Sequence, residues 1–304
     1  MKTNSLKILV IGGSGFVSGT LARTAVARGH KVWAVTRGEK PLPEDVIGLT
    51  ADRRHIEHFK RVICETKTRW DLVVDCIGFE SEDARTDIQL FKDCAEHLVF
   101  ISSDFVFDPK HRTFPQDQDN PHFIEYGYGG KKRLCELEFL ITDTTPMNWT
   151  ILRPCHIYGP GSKLGCLPMH SRDPDLIERV KAGEVIKLVG GGHFLQQPIF
   201  AADLVELILS CAANPKTFGQ IYNTAGPDII ESRQYYQIIA DLLGVGLKIE
   251  EIPVTQYVSD CPAGNESFIC HRIYNLKKLH RDDLKVPATP IATGLQAHIM
   301  ALLK

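Results

Sequence analysis

The chain has 304 residues, of which 43% are hydrophobic and 24% charged, with a formal net charge of −2. This is an ordinary composition for a soluble globular protein, with no electrostatic reason to expect nucleic acid or an anionic membrane as partner. No apolar run approaches the roughly 20 residues needed to cross a bilayer, and Met1 to Ser5 leads into a strand without a signal-peptide pattern, so a cytoplasmic protein is expected. The nine cysteines are an odd number with no CxxC pair, which speaks against a disulfide framework and against a metal site.

Leu6 to Ile11 is an almost unbroken apolar run, the pattern of a central parallel strand covered on both faces. Gly12, Gly13, Ser14 and Gly15 follow, then Phe16 and Val17. Glycines here permit a tight turn, and backbone N–H groups at the start of a helix can meet a pyrophosphate. Thr20 to Arg28 reads as that helix and His30 to Val35 as the second strand. Beyond it stand Thr36 and Arg37, where a carboxylate would favour NAD. A hydroxyl and a guanidinium suit a 2′-phosphate, so NADP is favoured over NAD; Arg37 could also be a solvated loop residue.

Leu49 to Arg53 reads as a third strand ending in a polar pair, with a helix from about His55 to Thr66. Asp52 then either touches adenine or caps that helix, with Arg53 beside it. The fourth strand, from Asp71, ends at Cys76, Ile77 and Gly78, where a close ligand is expected, with Phe79 beyond on the substrate side. A helix near Ala84 to Cys94 leads to a fifth strand, Leu98 to Phe107, interrupted by Ser102, Ser103 and Asp104 where a doubly wound sheet places its ligands.

Tyr128 and Lys132 are four apart at the start of a helix that runs to about Ile141, so phenol and ammonium share a face above the cofactor. A lysine cation favours the phenolate of a tyrosine whose free pKa is roughly 10. Tyr126 has no lysine at the matching position, and Lys131 would face away.

These segments, with Leu152-Arg-Pro154 through Tyr158-Gly-Pro-Gly161, resemble the extended short-chain dehydrogenases, the NAD(P)-dependent sugar epimerase and dehydratase family. Gly12-x-x-Gly15-x-x-Ser18 is similar to that family's GxxGxxG turn, with serine at the third position. The resemblance covers residues 6 to 245 well and the remainder loosely. It implies an α/β fold, a doubly wound parallel sheet with a smaller C-terminal α/β lobe. The sheet domain would take residues 1–165 and about 198–224, and the lobe about 166–197 and 225–304. It also implies Tyr128 as acid/base, Lys132 on the nicotinamide ribose, Ser103 on the reacting oxygen, and Pro154, Cys155, His156 and Ile157 beside the carboxamide. Family habit suggests a homodimer through the helix bearing Tyr128.

Ser102 to Asp108 is similar both to a stretch of deoxysugar 4-keto reductases and to one of nucleotide-sugar 4,6-dehydratases. Phe105 replaces the glutamate of the latter's acidic pair, while Asp104 remains as an acid or substrate-hydroxyl acceptor, or as a local cap. Cys155, His156, Cys166 and His170 lie in or beside the segment that lines the substrate pocket in that family, Cys166 and His170 as substrate-binding candidates; a Cys/His pair there could supply an extra acid and base, or these residues simply pack. The family's diphosphate-gripping arginines are replaced by Gln196 and by a turn containing Cys261. Either His271 and Arg272 take over, or the substrate is a sugar-like molecule without a nucleotide diphosphate, the reading preferred here. Hydride transfer at a secondary alcohol, with net epimerisation, is the expected activity. A keto-sugar reductase or dehydrogenase, and a catalytically drifted dinucleotide-sensing or RNA-binding protein, are the alternatives.

Overall fold

The structure, a computed structural model, describes residues 5–169, 172–260 and 265–304. Its centre is the first apolar run, β1 (Lys7–Ile11), in which Ile8 to Ile11 are wholly buried. The chain continues through α1 (Phe16–Ala27), β2 (Lys31–Thr36), β3 (Ile47–Thr50), α2 (Ile56–Glu65), β4 (Leu72–Asp75), α3 (Ser81–Phe91), β5 (His97–Ile101), α4 (Gly127–Ile141) and β6 (Asn148–Pro154). Short strands β7 (Ile157–Tyr158), β9 (Leu195–Gln196) and β10 (Ile199–Phe200) are interleaved with α5 (Leu176–Lys181) and β8 (Val185–Val189). Then come α6 (Ala201–Cys211), β11 (Gln220–Thr224), β12 (Ile230–Glu231), α7 (Ser232–Leu243), β13 (Lys248–Ile252), α8 (Val254–Asp260), α9 (Lys277–Arg281) and α10 (Ile291–Leu302).

Seven strands form one parallel sheet in the order β3-β2-β1-β4-β5-β6-β11. The order reverses between β1 and β4, and the crevice outside the carboxyl ends of the strands at that point is where such sheets bind ligands. Two apolar cores cover the faces, one built on Ile8, Val10 and α6, the other on Leu9, Ile11, α2 and α3. A third core joins α5, β8, α7 and α10 as the smaller lobe. Tyr274, Leu279 and Leu284 pack in the first of these cores. This part of the C-terminal third therefore returns to the sheet, which the division by sequence had given wholly to the lobe.

Two local differences have physical causes. The first helix starts at Phe16, four residues earlier than its apolar periodicity suggests, because Gly15 takes the N-cap position. The fifth strand stops at Ile101: the Ser103 hydroxyl accepts from Phe105 N at 3.2 Å and folds Asp104–Val106 into a short 3₁₀ turn.

His97 on β5 is fully buried, with Nε2 2.8 Å from the Thr150 hydroxyl. Burial lowers its pKa from 6.5 to about 4, since the charged ring cannot be solvated there. The unfolded chain takes up a proton below its own pKa that the folded chain refuses, so this contribution to stability falls as pH drops from 6.5 toward 4. We expect about 3 kcal/mol of pH-dependent stability from this residue. It should show as a shallower pH slope in urea unfolding of His97→Asn than of wild type, and equal slopes would refute it.

Candidate active site

Two cavities lie along the carboxyl edge of the sheet, of about 550 and 640 Å³, and Phe79 is a wall of both. The smaller is lined by Gly12, Ser14, Gly15, Thr36, Arg37, Asp52, Arg53 and Ile77. The larger is lined by Ser102, Ser103, Tyr128, Lys132 and the Pro154 to Ile157 segment. Most of the residues picked out in the sequence as cofactor-binding line one or other of these cavities, while Gly13, Phe16 and Gly78 line neither.

The turn is shaped by close packing. Gly12 and Gly13 have φ of +120° and +82°, and a Cβ on Gly13 would sit 2.4 Å from that of Ala34 in β2. Ser18 fills the third small position and accepts from Gly15 N at 3.1 Å. The first-turn amides of α1, including those of Phe16 and Val17, have no carbonyl four residues earlier within the helix. At the end of β2, Arg37 is exposed and pairs with Glu39 at 2.8 Å, next to Thr36 and Lys40 on the cavity wall. Asp52 does not cap α2, whose N-cap is His55. Its carboxylate accepts from the Arg54 backbone at 3.0 Å and side chain at 2.6 Å, which hold it below the usual carboxylate range. The Arg53 guanidinium is turned inward, 2.9 Å from Asp75, 3.0 Å from Asp83 and 3.1 Å from Asp87.

In the larger cavity, α4 presses against the loop after β5. A Cβ on Gly129 would fall 2.0 Å from the Phe105 carbonyl oxygen, so only glycine allows this approach. It brings Tyr128 beside Ser103 at the cavity wall, while half the tyrosine surface stays open. Lys132, one turn on, is buried beneath, its Nζ donating to Gly78 O and Ile101 O at 2.6 Å each. Lys131 faces out and pairs with Glu80.

The expected lowering of the Tyr128 pKa by Lys132 is not seen. Burial raises the phenol above its ordinary value, the Ser103 hydrogen bond opposing it, because the lysine ammonium is turned into the floor toward two carbonyls. Burial likewise lowers the Lys132 pKa, against the pull of Asp75.

Asp104 is not free to serve as an acid. Its buried carboxylate is bound by the Arg272 guanidinium and the Tyr274 hydroxyl, with Arg112 at 3.4 Å. Arg272 is thereby withdrawn from any substrate role. His271 accepts from Leu195 N at 3.0 Å and lies against Phe114 and Phe194, away from the larger cavity. Gln196 is buried, lines neither cavity, and finds no partner for either amide atom.

Cys155 buries its thiol, which donates to Gln197 O at 2.8 Å, and burial raises its pKa well above the ordinary value. Burial lowers the His156 pKa to about 4, with Arg172 adding to the shift. The thiol and the imidazole are thus both held neutral near pH 7. Cys166 is packed in the core of the lobe, His170 and Cys261 lie outside the described residues, and the described cysteines are all free.

The sequence reading gave no site role to Arg172, Phe105, Phe268 or Glu136. Arg172, Phe105 and Phe268 all line the larger cavity, with Phe105 ring centroids 6.1 Å from Tyr128 and 5.6 Å from Phe268. Ser102 donates to buried Glu136 at 2.6 Å, and Glu136 also takes Arg153 at 2.8 and 2.7 Å. Glu136 lies four residues beyond Lys132 on the same helical face, which was the available signal.

Removing the carboxylate from Asp104 would leave two buried guanidinium groups uncompensated. We expect Asp104→Ala to lose about 3–5 kcal/mol of stability by chemical denaturation. A loss below about 1 kcal/mol would show that this cluster does not hold the site together.

Residues 87–225, which carry Ser103, Tyr128, Lys132 and the Leu152-Arg-Pro154 segment, match the NAD dependent epimerase/dehydratase family. The chloroplast stem-loop binding protein of 41 kDa b from Arabidopsis thaliana is 27% identical over 72% of this chain, which spans 58% of that protein. UDP-N-acetyl-alpha-D-glucosaminuronate decarboxylase from Bacillus cytotoxicus is 24% identical, covering 81% of this chain and 83% of that one. UDP-glucose 4-epimerase from Thermotoga maritima, solved with UDP-glucose, shares the fold at 18% identity with a TM-score of 0.78, covering 98% and 99% of the two chains. Domain match and fold concur: residues 87–225 carry an NAD dependent epimerase/dehydratase domain, and the whole chain shares the fold of the solved UDP-glucose 4-epimerase.

Proposed function

We propose that this protein is an NADP-dependent enzyme that moves a hydride at a secondary alcohol of a small sugar-like substrate lacking a nucleotide diphosphate. The observation that carries the reading is the stacking of Ser103, Tyr128 and Lys132 at the mouth and floor of one cavity that opens, past Phe79, toward the glycine turn. The glycine turn and the unpaired first-turn amides of α1 fit a pyrophosphate. Thr36, Arg37 and Lys40 fit a 2′-phosphorylated ribose, and Arg37 with its partner Glu39 would also accept the unphosphorylated form less well.

The dinucleotide, when bound, supplies the hydride acceptor or donor. The chain's own residues handle the proton and hold the geometry. Tyr128 gives or takes the proton of the reacting oxygen, and Ser103, beside it on the cavity wall, offers a second contact to that oxygen. Lys132 ties α4 to the end of β5 and to the loop after β4 through its two carbonyl partners. Phe105 and Phe268 form an apolar wall that limits water around the reacting carbon.

Of the two outcomes, net reduction or oxidation is supported better than epimerisation beside a retained ketone, because Cys155 and His156 offer neither a thiolate nor a titrating imidazole near neutral pH. Change in nicotinamide absorbance in proportion to product separates the two, since an internally redox-neutral epimerase shows none. Leu134, Leu140 and Ile141 leave an exposed apolar edge on α4, which supports a homodimer through that helix. The name of the Arabidopsis relative supports a second reading, binding of a nucleic-acid stem-loop. Retention of a folded RNA hairpin by the wild type at physiological salt, without hydride transfer, would favour it.

With NADPH and a panel of keto sugars, Tyr128→Phe should lose roughly 10²- to 10⁴-fold in turnover with NADPH affinity unchanged. Equal turnover would end the catalytic assignment. Arg37→Ala should weaken NADPH binding by roughly ten- to a hundredfold while leaving NADH within twofold, as loss of a charge-assisted contact requires. If both cofactors weaken alike, Arg37 does not read the 2′-phosphate.

A further inference from the structure

Arg172 lines the larger cavity together with Tyr128, His156 and Leu167. Its guanidinium donates to the Ser162 hydroxyl and lies 5.8 Å from the Phe16 ring centroid. The side chain keeps a solvent-accessible surface, yet the surrounding protein lowers its pKa, and the ionisable groups that bear on it are the phenols of Tyr235 and Tyr128. Among the described residues no carboxylate pairs with it.

Negative charge is scarce in the rest of the wall. Asp104 is the carboxylate of the lining, and both Arg112 and Arg272 sit on it. Lys132 adds a cation whose opposing charge, Asp75, lies behind the floor. His156 is neutral near pH 7. A concave site with such a surplus, and with walls of low polarity, concentrates anions. Arg172 is the member of this set with a guanidinium left for a ligand, and its planar fork matches two oxygens of one group.

We propose that Arg172 anchors the substrate through a single oxyanion, a carboxylate or a phosphate monoester placed away from the reacting alcohol. This rests on the reading of the cavity as the hydride-transfer site and narrows its substrate class to anionic sugars or sugar-like acids. A diphosphate is disfavoured because Arg272 and His271 are engaged elsewhere and Gln196 carries no charge. The pyrophosphate of the dinucleotide is the competing anion, since Phe16 opens α1 directly after the glycine turn.

The test is calorimetric titration of NADPH-saturated protein with glucuronate, glucose 6-phosphate and glucose, for wild type, Arg172→Ala and Arg172→Lys. The expected result is at least tenfold tighter binding of one anionic sugar than of glucose in wild type. That preference should be lost in Arg172→Ala and partly retained in Arg172→Lys, with NADPH affinity within twofold throughout. No preference in wild type, or an unchanged preference in both variants, overturns the proposal. A tenfold loss of NADPH affinity with the sugar preference intact also overturns it and gives the guanidinium to the pyrophosphate. Failure of the underlying reading shows differently, as a wild type that neither binds NADPH nor transfers hydride.

Discussion

One buried carboxylate, Asp104, sets the shape of the substrate side. Charges inside a protein survive only when paired and hydrogen-bonded. Here one anion meets two guanidiniums, and the excess positive charge is spread over other acceptors. Arg112 also donates to Asp104 O at 2.8 Å, Arg272 donates to Ser267 O, and its guanidinium carbon lies 4.3 Å from the Phe105 ring centroid. These contacts fasten the end of β5 to the segment around residues 267–274. They bring Ser267 and Phe268 into the cavity wall, so the pocket has its form because this cluster is satisfied.

The same device recurs along the sheet edge. Asp75 accepts from Arg53 and from Ile77 N at 2.8 Å, which bends residues 76–79 so that the Gly78 carbonyl meets Lys132. Asp87 shares that cluster, where burial raises its pKa well above the carboxylate range while Asp75, beside Arg53, is held below it. Glu136 is pushed up by burial but held down overall by Arg153, and it takes the Ser102 hydroxyl as well. Ser102 therefore belongs to the scaffold, and Ser103, one residue on, is the hydroxyl left beside Tyr128.

What could be read from the chain was local. Strand β1, the glycine turn, the strand ends and the Tyr128–Lys132 spacing each depend on a few neighbouring residues and on the periods of helix and strand. The Asp104–Arg272 pair joins residues 168 apart, so no window of sequence could show that Asp104 is neutralised or that Arg272 is spent. Arg172 was hidden for a related reason: it lies in an irregular connection, where neither period nor motif marks a side chain that faces a cavity. The lysine effect on Tyr128 was misjudged because i, i+4 spacing puts two residues on one face without saying which way the ammonium turns. Backbone carbonyls at the end of β5 and in the loop after β4 decided that.

The serine in the glycine turn has a consequence of its own. Because the Ser18 hydroxyl already holds the Gly15 amide, the loop is closed by its own side chain before any ligand arrives. Ordering of that backbone is settled during folding and need not be charged against binding, which is how a preorganised site gains affinity without gaining contacts. A departure from the usual third glycine thus exchanges some freedom of the turn for rigidity, at the end of the crevice where the ligand's anionic centre must be met by fixed dipoles.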